Sequence, residues 1–298
     1  MGTFGLIVIG DEILSGKRAD KHLPKIIELL GARGLSLGWA EYVGDSPVRI
    51  TAALQRAFAS GDVVFSTGGI GATPDDHTRQ CAARALGVDL VLHPEAAALI
   101  LERMQDIARE QGKPYEPERP DNAHRLNMGV FPAGAQIIPN PYNKIPGFSC
   151  YPPRPDMSAA GPPQGAKAPA GGSEPHAVGE RGGIHFVPGF PVMAWPMVEW
   201  VLDTLYPHRF ATGAWLERSV IVFGTMEATL TPLMEAIERE HPGIRVFSLP
   251  SVDHPEYGRH IELGVKGAPV GVAPAWAALL QGLKAFDVKL GPELVRNQ

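Results

Sequence analysis

Residues 62–86 read as strand, glycine loop and helix, and this passage narrows the fold more than any other part of the chain. Asp62-Val63-Val64-Phe65-Ser66 is short and apolar on both faces, the pattern of a strand buried inside a parallel sheet. Thr67-Gly68-Gly69-Ile70-Gly71-Ala72-Thr73-Pro74-Asp75-Asp76-His77-Thr78 follows, and a helix is expected from about Asp75 to Leu86, stopped by Gly87. Three glycines within four positions let the backbone adopt positive φ and approach a ligand closely. Such a loop entering a helix N-terminus is a ready anion site, and Thr67, Thr73 and Thr78 add hydroxyl donors.

The flanking segments repeat the same alternation. Thr3–Ile9 reads as a buried strand, ended by Gly10-Asp11-Glu12. Leu23, Ile26, Ile27 and Leu30 give one apolar face to a helix over about 20–30. Leu35–Tyr42 is a second strand, and Ser46-Pro47 opens a helix that Gly61 stops. Strands alternating with helices imply an α/β fold, with helices on both faces of a mainly parallel sheet.

Further along, Pro94 opens a helix that Gly112-Lys113-Pro114 breaks. Gln136–Ile138 is a short strand leading into the turn-rich segment from Pro139 to Phe148. Residues 152–183 carry almost no bulky apolar side chains and read as a flexible insertion. It is not a domain boundary, because Ile184–Val187 resumes as a strand, Pro188-Gly189-Phe190-Pro191 as a loop, and a helix runs to about Tyr206. The expected domains are 1–210, α/β, and 216–298, a small α+β unit in the order βαββα.

Two further features bear on chemistry. Asp75-Asp76 beside an anion-binding turn would repel a phosphate unless a cation lay between them, and hard oxygen ligands suit Mg²⁺; the plainer alternative is that Asp75 caps the helix. Gly10, Asp11 and Glu12 end the first strand, where open α/β sheets bind ligands; there the acids either complete a metal site or belong to a solvated loop. Net charge is −5, which disfavours a nucleic-acid partner. The two cysteines, Cys81 and Cys150, suggest no disulfide framework. No signal peptide and no apolar run of about 20 residues is seen, so no membrane is expected and the cytoplasm is the expected location.

Gly10-Asp11-Glu12-Ile13-Leu14-Ser15-Gly16, the Thr67–Thr78 loop, Asn140 with Pro146-Gly147-Phe148, and Pro188-Gly189-Phe190-Pro191 occur in this order. Together they resemble the molybdopterin-binding (MoaB/Mog-like) domain, and more closely the competence/damage-inducible protein A (CinA) family. The resemblance implies a three-layer α/β/α domain that oligomerises with its own copies and binds a phosphorylated nucleotide- or pterin-like ligand. It further implies metal-dependent hydrolysis of a pyrophosphate such as ADP-ribose. The alternatives are a molybdopterin adenylyltransferase-type transferase and a non-catalytic binding protein.

Carried over by position, the resemblance makes Asp11, Asp75 and Asp76 the catalytic acids and ligands of a divalent metal, Mg²⁺ or else Mn²⁺ or Co²⁺. Gly10, Glu12, Thr67, Gly68, Gly69, Gly71, Thr73, Thr78, Asn140, Pro188 and Gly189 would line the ligand. Gln80 stands where the family pattern usually has Glu, which bears on catalysis more than on binding. The chain ends at Gln298 without the amidohydrolase domain of longer CinA proteins, so deamidation of nicotinamide nucleotide is not expected.

Overall fold

The structure is a computed structural model that describes residues 2–152, 182–210 and 216–297. Most of the 152–183 segment lies outside the described residues. The chain forms two compact units, Met1–Leu30 with Ser36–Arg209, and Gly31–Leu35 with Phe210–Gln298.

The first unit follows the expected alternation: β1 (Phe4–Ile9), the single-turn α1 (Asp11–Leu14), α2 (His22–Gly31), β2 (Leu37–Val43), α3 (Pro47–Ser60), β3 (Val63–Thr67) and α4 (Thr78–Leu86). Then come β4 (Leu90–Leu92), α5 (Pro94–Glu110), α6 (Pro120–Leu126), β5 (Val130–Pro132), β6 (Gln136–Ile138), β7 (Gly147–Cys150), β8 (Gly183–Val187) and α7 (Pro191–Leu205). Pro47 opens α3 and Gly61 closes it at φ 74°, as the sequence suggests, although the Ser46 side chain makes no capping bond.

The main sheet runs β2-β1-β3-β8-β7-β6. Its β2, β1, β3 and β8 are mutually parallel, while β7 is antiparallel to both β8 and β6. Every residue of β1, β3 and β8 is buried, as a sheet covered on both faces requires. Ile7, Ile9, Val64, Ile184 and Phe186 share one core with Ile50 and Leu54 of α3 and Cys81 and Ala82 of α4. Alternation along the strands turns Leu6, Val8 and Phe65, all buried, to the other face. This is the expected mainly parallel three-layer fold.

The placement of β1 positions the site. The chain passes from β1 to β2 on one side and then crosses to β3 on the other. Where strand order reverses in this way, the helices diverge and leave a crevice beyond the carboxyl ends of the strands.

The second unit has β9 (Leu216–Phe223), α8 (Glu227–Glu240), β10 (Arg245–His254), β11 (Gly258–Gly267), α9 (Pro269–Leu283) and β12 (Lys289–Asn297). The order is therefore βαββαβ, with β12 added to the expected βαββα. Its antiparallel sheet runs β10-β11-β9-β12. The core includes Val220, Leu230, Leu263, Trp276 and Leu279. No helix among the described residues is long and apolar enough to cross a membrane.

Candidate functional site

Three of the motifs leave the carboxyl ends of adjacent parallel strands: Gly10-Asp11-Glu12 after β1, Gly68-Gly69 after β3, and Pro188-Gly189 after β8. They enclose a cavity of about 390 Å³. The loop after β6 closes another side of it through Asn140 and Asn143.

The glycine loop takes its shape from both ends. Gly68 has φ 98°, and a Cβ there would stand 2.2 Å from the Ile9 carbonyl oxygen of β1. Gly69 has φ 68°, and its Cβ would stand 2.2 Å from Thr78 Oγ1. The Gly68 N–H is spent on Val187 O (3.1 Å), and Thr78 N donates to Gly69 O (3.0 Å). Buried Arg79 donates from its guanidinium to Ile70 O at 2.5 Å. Burial lowers the Arg79 pKa from its ordinary value, and the neighbouring Asp76 opposes that shift.

Between these anchors, the N–H groups of Gly69, Ile70, Gly71 and Ala72 have no hydrogen-bond partner among the described residues. All four residues line the cavity. Successive unpaired amides in a turn form an anion-binding concavity. The candidate anion site is thus the loop itself. The helix begins at Thr78 and not at about Asp75, so neither Asp75 nor Asp76 lies in its first turn.

Of the expected ligand-lining residues, Gly10, Glu12, Gly68, Gly69, Gly71, Thr73, Asn140, Pro188 and Gly189 line this cavity, together with Asp75 and Asp76. Asp11, Thr67 and Thr78 do not. Thr78 is fully buried and donates its hydroxyl to Gly68 O. The Thr73 hydroxyl donates to Asp76 Oδ2 (2.6 Å), which also accepts the Thr73 N–H (2.8 Å), so this pair braces the loop. Asn140 spends its amide on Asn143 Oδ1 and Ile145 O and its oxygen on Tyr142 N, which shapes its own loop. Lys144 pairs with Glu102 and Asp106 and does not line the cavity.

The carboxylates are arranged differently from the expected metal centre. Asp11 and Asp45 exchange bonds: Asp11 N donates to Asp45 Oδ2 (2.9 Å) and Asp45 N to Asp11 Oδ1 (3.1 Å). Asp76 is turned to Thr73. Among the described residues, no three His, Cys, Asp or Glu side chains form a metal-ligand group, so the structure does not bring Asp11, Asp75 and Asp76 together as one.

Asp45 and Arg18 also line the cavity and were missed in the sequence. Burial raises the Asp45 pKa, and the charges of Asp11, Glu12 and Asp75 raise it further. Asp45 lies two residues past the end of β2, so the rule that ligands meet strand carboxyl ends would have found it. Arg18 has no such signal, because it follows the single turn α1 in an irregular stretch.

The described family "Probable molybdopterin binding domain" matches residues 5–208. A CinA-like protein of Syntrophotalea carbinolica is 30% identical over 243 residues, covering 79% of this chain and 50% of that protein. One from Geobacter metallireducens is 30% identical over 242 residues, with 81% and 50% covered. The chain thus spans about half the length of these two relatives. The solved structure of the protein CinA, of unknown function, from Thermoplasma acidophilum is 24% identical, covers 68% of this chain and 97% of that one, and has a TM-score of 0.49. With more than half of its length matched, this chain belongs to the molybdopterin-binding domain family, and among its relatives it is similar to CinA-like proteins.

Proposed function

We propose that the crevice binds a phosphorylated nucleotide- or pterin-like small molecule and that the protein hydrolyses a pyrophosphate of the ADP-ribose type. The observation that carries this reading is the run of four unpaired amides, Gly69 to Ala72, in a cavity that Arg18 also lines. Oriented N–H groups stabilise phosphate oxygens without reorganising, and they do so more strongly as charge develops on them. A guanidinium adds a charge-assisted bond.

Among the described residues, no group of three or more His, Cys, Asp or Glu is placed to hold a metal ion. The metal dependence is read as that of a cation entering with the pyrophosphate, as Mg²⁺ commonly does. The protein is read as cytoplasmic and as assembling with its own copies.

The test is to incubate the pure protein with ADP-ribose and FAD in Mg²⁺, Mn²⁺ or Co²⁺. AMP release supports hydrolysis; its absence under every condition removes it. A non-catalytic binding protein is favoured by one observation. Gln80 does not line the cavity, and its Oε1 is buried with no partner. Binding without turnover, unchanged in Gln80→Glu, would establish that second reading.

A further inference from the structure

A second lobe of about 310 Å³ adjoins the crevice. It shares Ile9, Glu12, Arg18, Gly189 and Phe190 with the crevice, so these residues stand between the two cavities. Apolar side chains wall the lobe, among them Val8, Ile13 and Pro191. Two buried polar residues, His22 and Thr67, also line it, at 4% and 1% exposure.

His22 is fixed in position and in tautomer. Asp20 accepts the N–H groups of His22 (2.8 Å) and Leu23 (3.0 Å), which sets the start of α2. His22 Nε2 bonds to the Gly189 carbonyl at 3.0 Å. A carbonyl only accepts, so Nε2 carries the proton, and in the neutral ring Nδ1 is a bare acceptor. That Nδ1 is buried without a partner, and so is Thr67 Oγ1. Orphaned buried polar atoms are uncommon and costly. The Thr67 hydroxyl can donate or accept, so together the two atoms want a donor and an acceptor.

We infer that the His22 lobe seats the heterocycle of the ligand, with His22 Nδ1 accepting an N–H from the ring edge and Thr67 meeting an acceptor beside it. This rests on the reading that the glycine loop holds phosphate. A flat base with a donor next to an acceptor, as in adenine, guanine or a pterin, satisfies both atoms within apolar walls. A fully ionised phosphate offers no donor. Arg18, common to both lobes, lies where phosphate leaves the base half of the ligand. His22 is thus a specificity-determining residue, distinct from the amides that hold the anion.

The experiment measures binding of AMP, GMP and ribose 5-phosphate to the full chain and to His22→Phe by calorimetry. In parallel, the ¹⁵N resonance of His22 Nδ1 is followed in the unaltered protein. At least one nucleotide is expected to bind roughly tenfold tighter than ribose 5-phosphate, the scale of one satisfied buried hydrogen bond. His22→Phe should remove that margin while ribose 5-phosphate still binds, and Nδ1 should shift with the nucleotide alone. Equal affinity for nucleotides and sugar phosphate, or an unmoved Nδ1 with nucleotide bound, overturns the inference while the phosphate site stands. Failure of all three compounds to bind overturns the phosphate reading, and the inference with it.

Discussion

The hydroxyl of Thr78 donates to the carbonyl of Gly68 across 3.0 Å, so the first residue of α4 closes the glycine loop back onto the end of β3. The same residue's N–H reaches Gly69 O. Two bonds from one residue fix where the four free amides sit, which ties helix start and loop shape together.

Thr78→Val removes the hydroxyl and leaves the Gly68 carbonyl without that donor. A loss of about 1–3 kcal/mol in unfolding free energy is expected, with weaker ADP-ribose binding. Thr78→Ser should retain most of both. Urea titration and calorimetry check the pair, and a Val variant as stable and as tight as the parent would refute the role.

Gly68→Ala should be worse. Its φ of 98° disfavours any Cβ, and the added atom would meet the Ile9 backbone oxygen at 2.2 Å. Backbone strain alone costs about 1–3 kcal/mol. Gly16, at φ 72° with open space around it, should tolerate alanine better. Comparing the two variants by urea unfolding separates strain from collision.

Asp20→Ala removes the acceptor for the first amides of α2. A cost of about 1 kcal/mol is expected, as for other helix caps. Burial alone would raise the Asp20 pKa, but the Tyr42 hydroxyl and the His22 and Leu23 amides hold it below its ordinary 3.8. Its contribution is therefore complete above that value and lost as pH falls through the lower, folded-state pKa. The variant should lose this acid-side dependence.

His185 gives a second pH signature. It is fully buried between Ser149 Oγ (2.7 Å) and Tyr206 OH (2.8 Å), and burial lowers its pKa from 6.5 to about 3. Because the unfolded ring takes up a proton that the folded ring refuses, stability is complete above pH 6.5 and declines as pH falls toward 3. Urea unfolding at pH 7.5, 6 and 5 should show this decline before most carboxylates titrate. A flat profile over that range would contradict it.

Arg18→Ala should weaken binding of phosphorylated ligands by about tenfold, the scale of a charge-assisted bond. Lys144→Ala is the control, since Lys144 is committed to Glu102 and Asp106. Equal losses in the two variants would point to a general charge effect.

The alternation of strands and helices was legible because β1, β3 and β8 are short apolar runs bounded by turn residues. The strand-end motifs were legible for the same reason, and the topology then gathered them. Other elements carried little local signal. β4 is three exposed residues paired to β5, and only that pairing makes it a strand. β12 contains Gly291 and Pro292 and shifts register between Leu290 and Glu293, which hides its period. Asp75-Asp76 reads like a helix start, but Thr73 and Asp76 bond to each other within the loop and the helix waits until Thr78. The orphaned atoms of His22 and Thr67 depend on contacts from distant segments, so no local pattern announces them.

The most direct test follows the backbone amide signals of Gly69, Ile70, Gly71 and Ala72 by NMR as ADP-ribose is added. All four should shift together and saturate, while Gly68, whose N–H is already bonded to Val187, moves less. Binding that leaves those four amides unmoved, or no binding at all, would contradict the account.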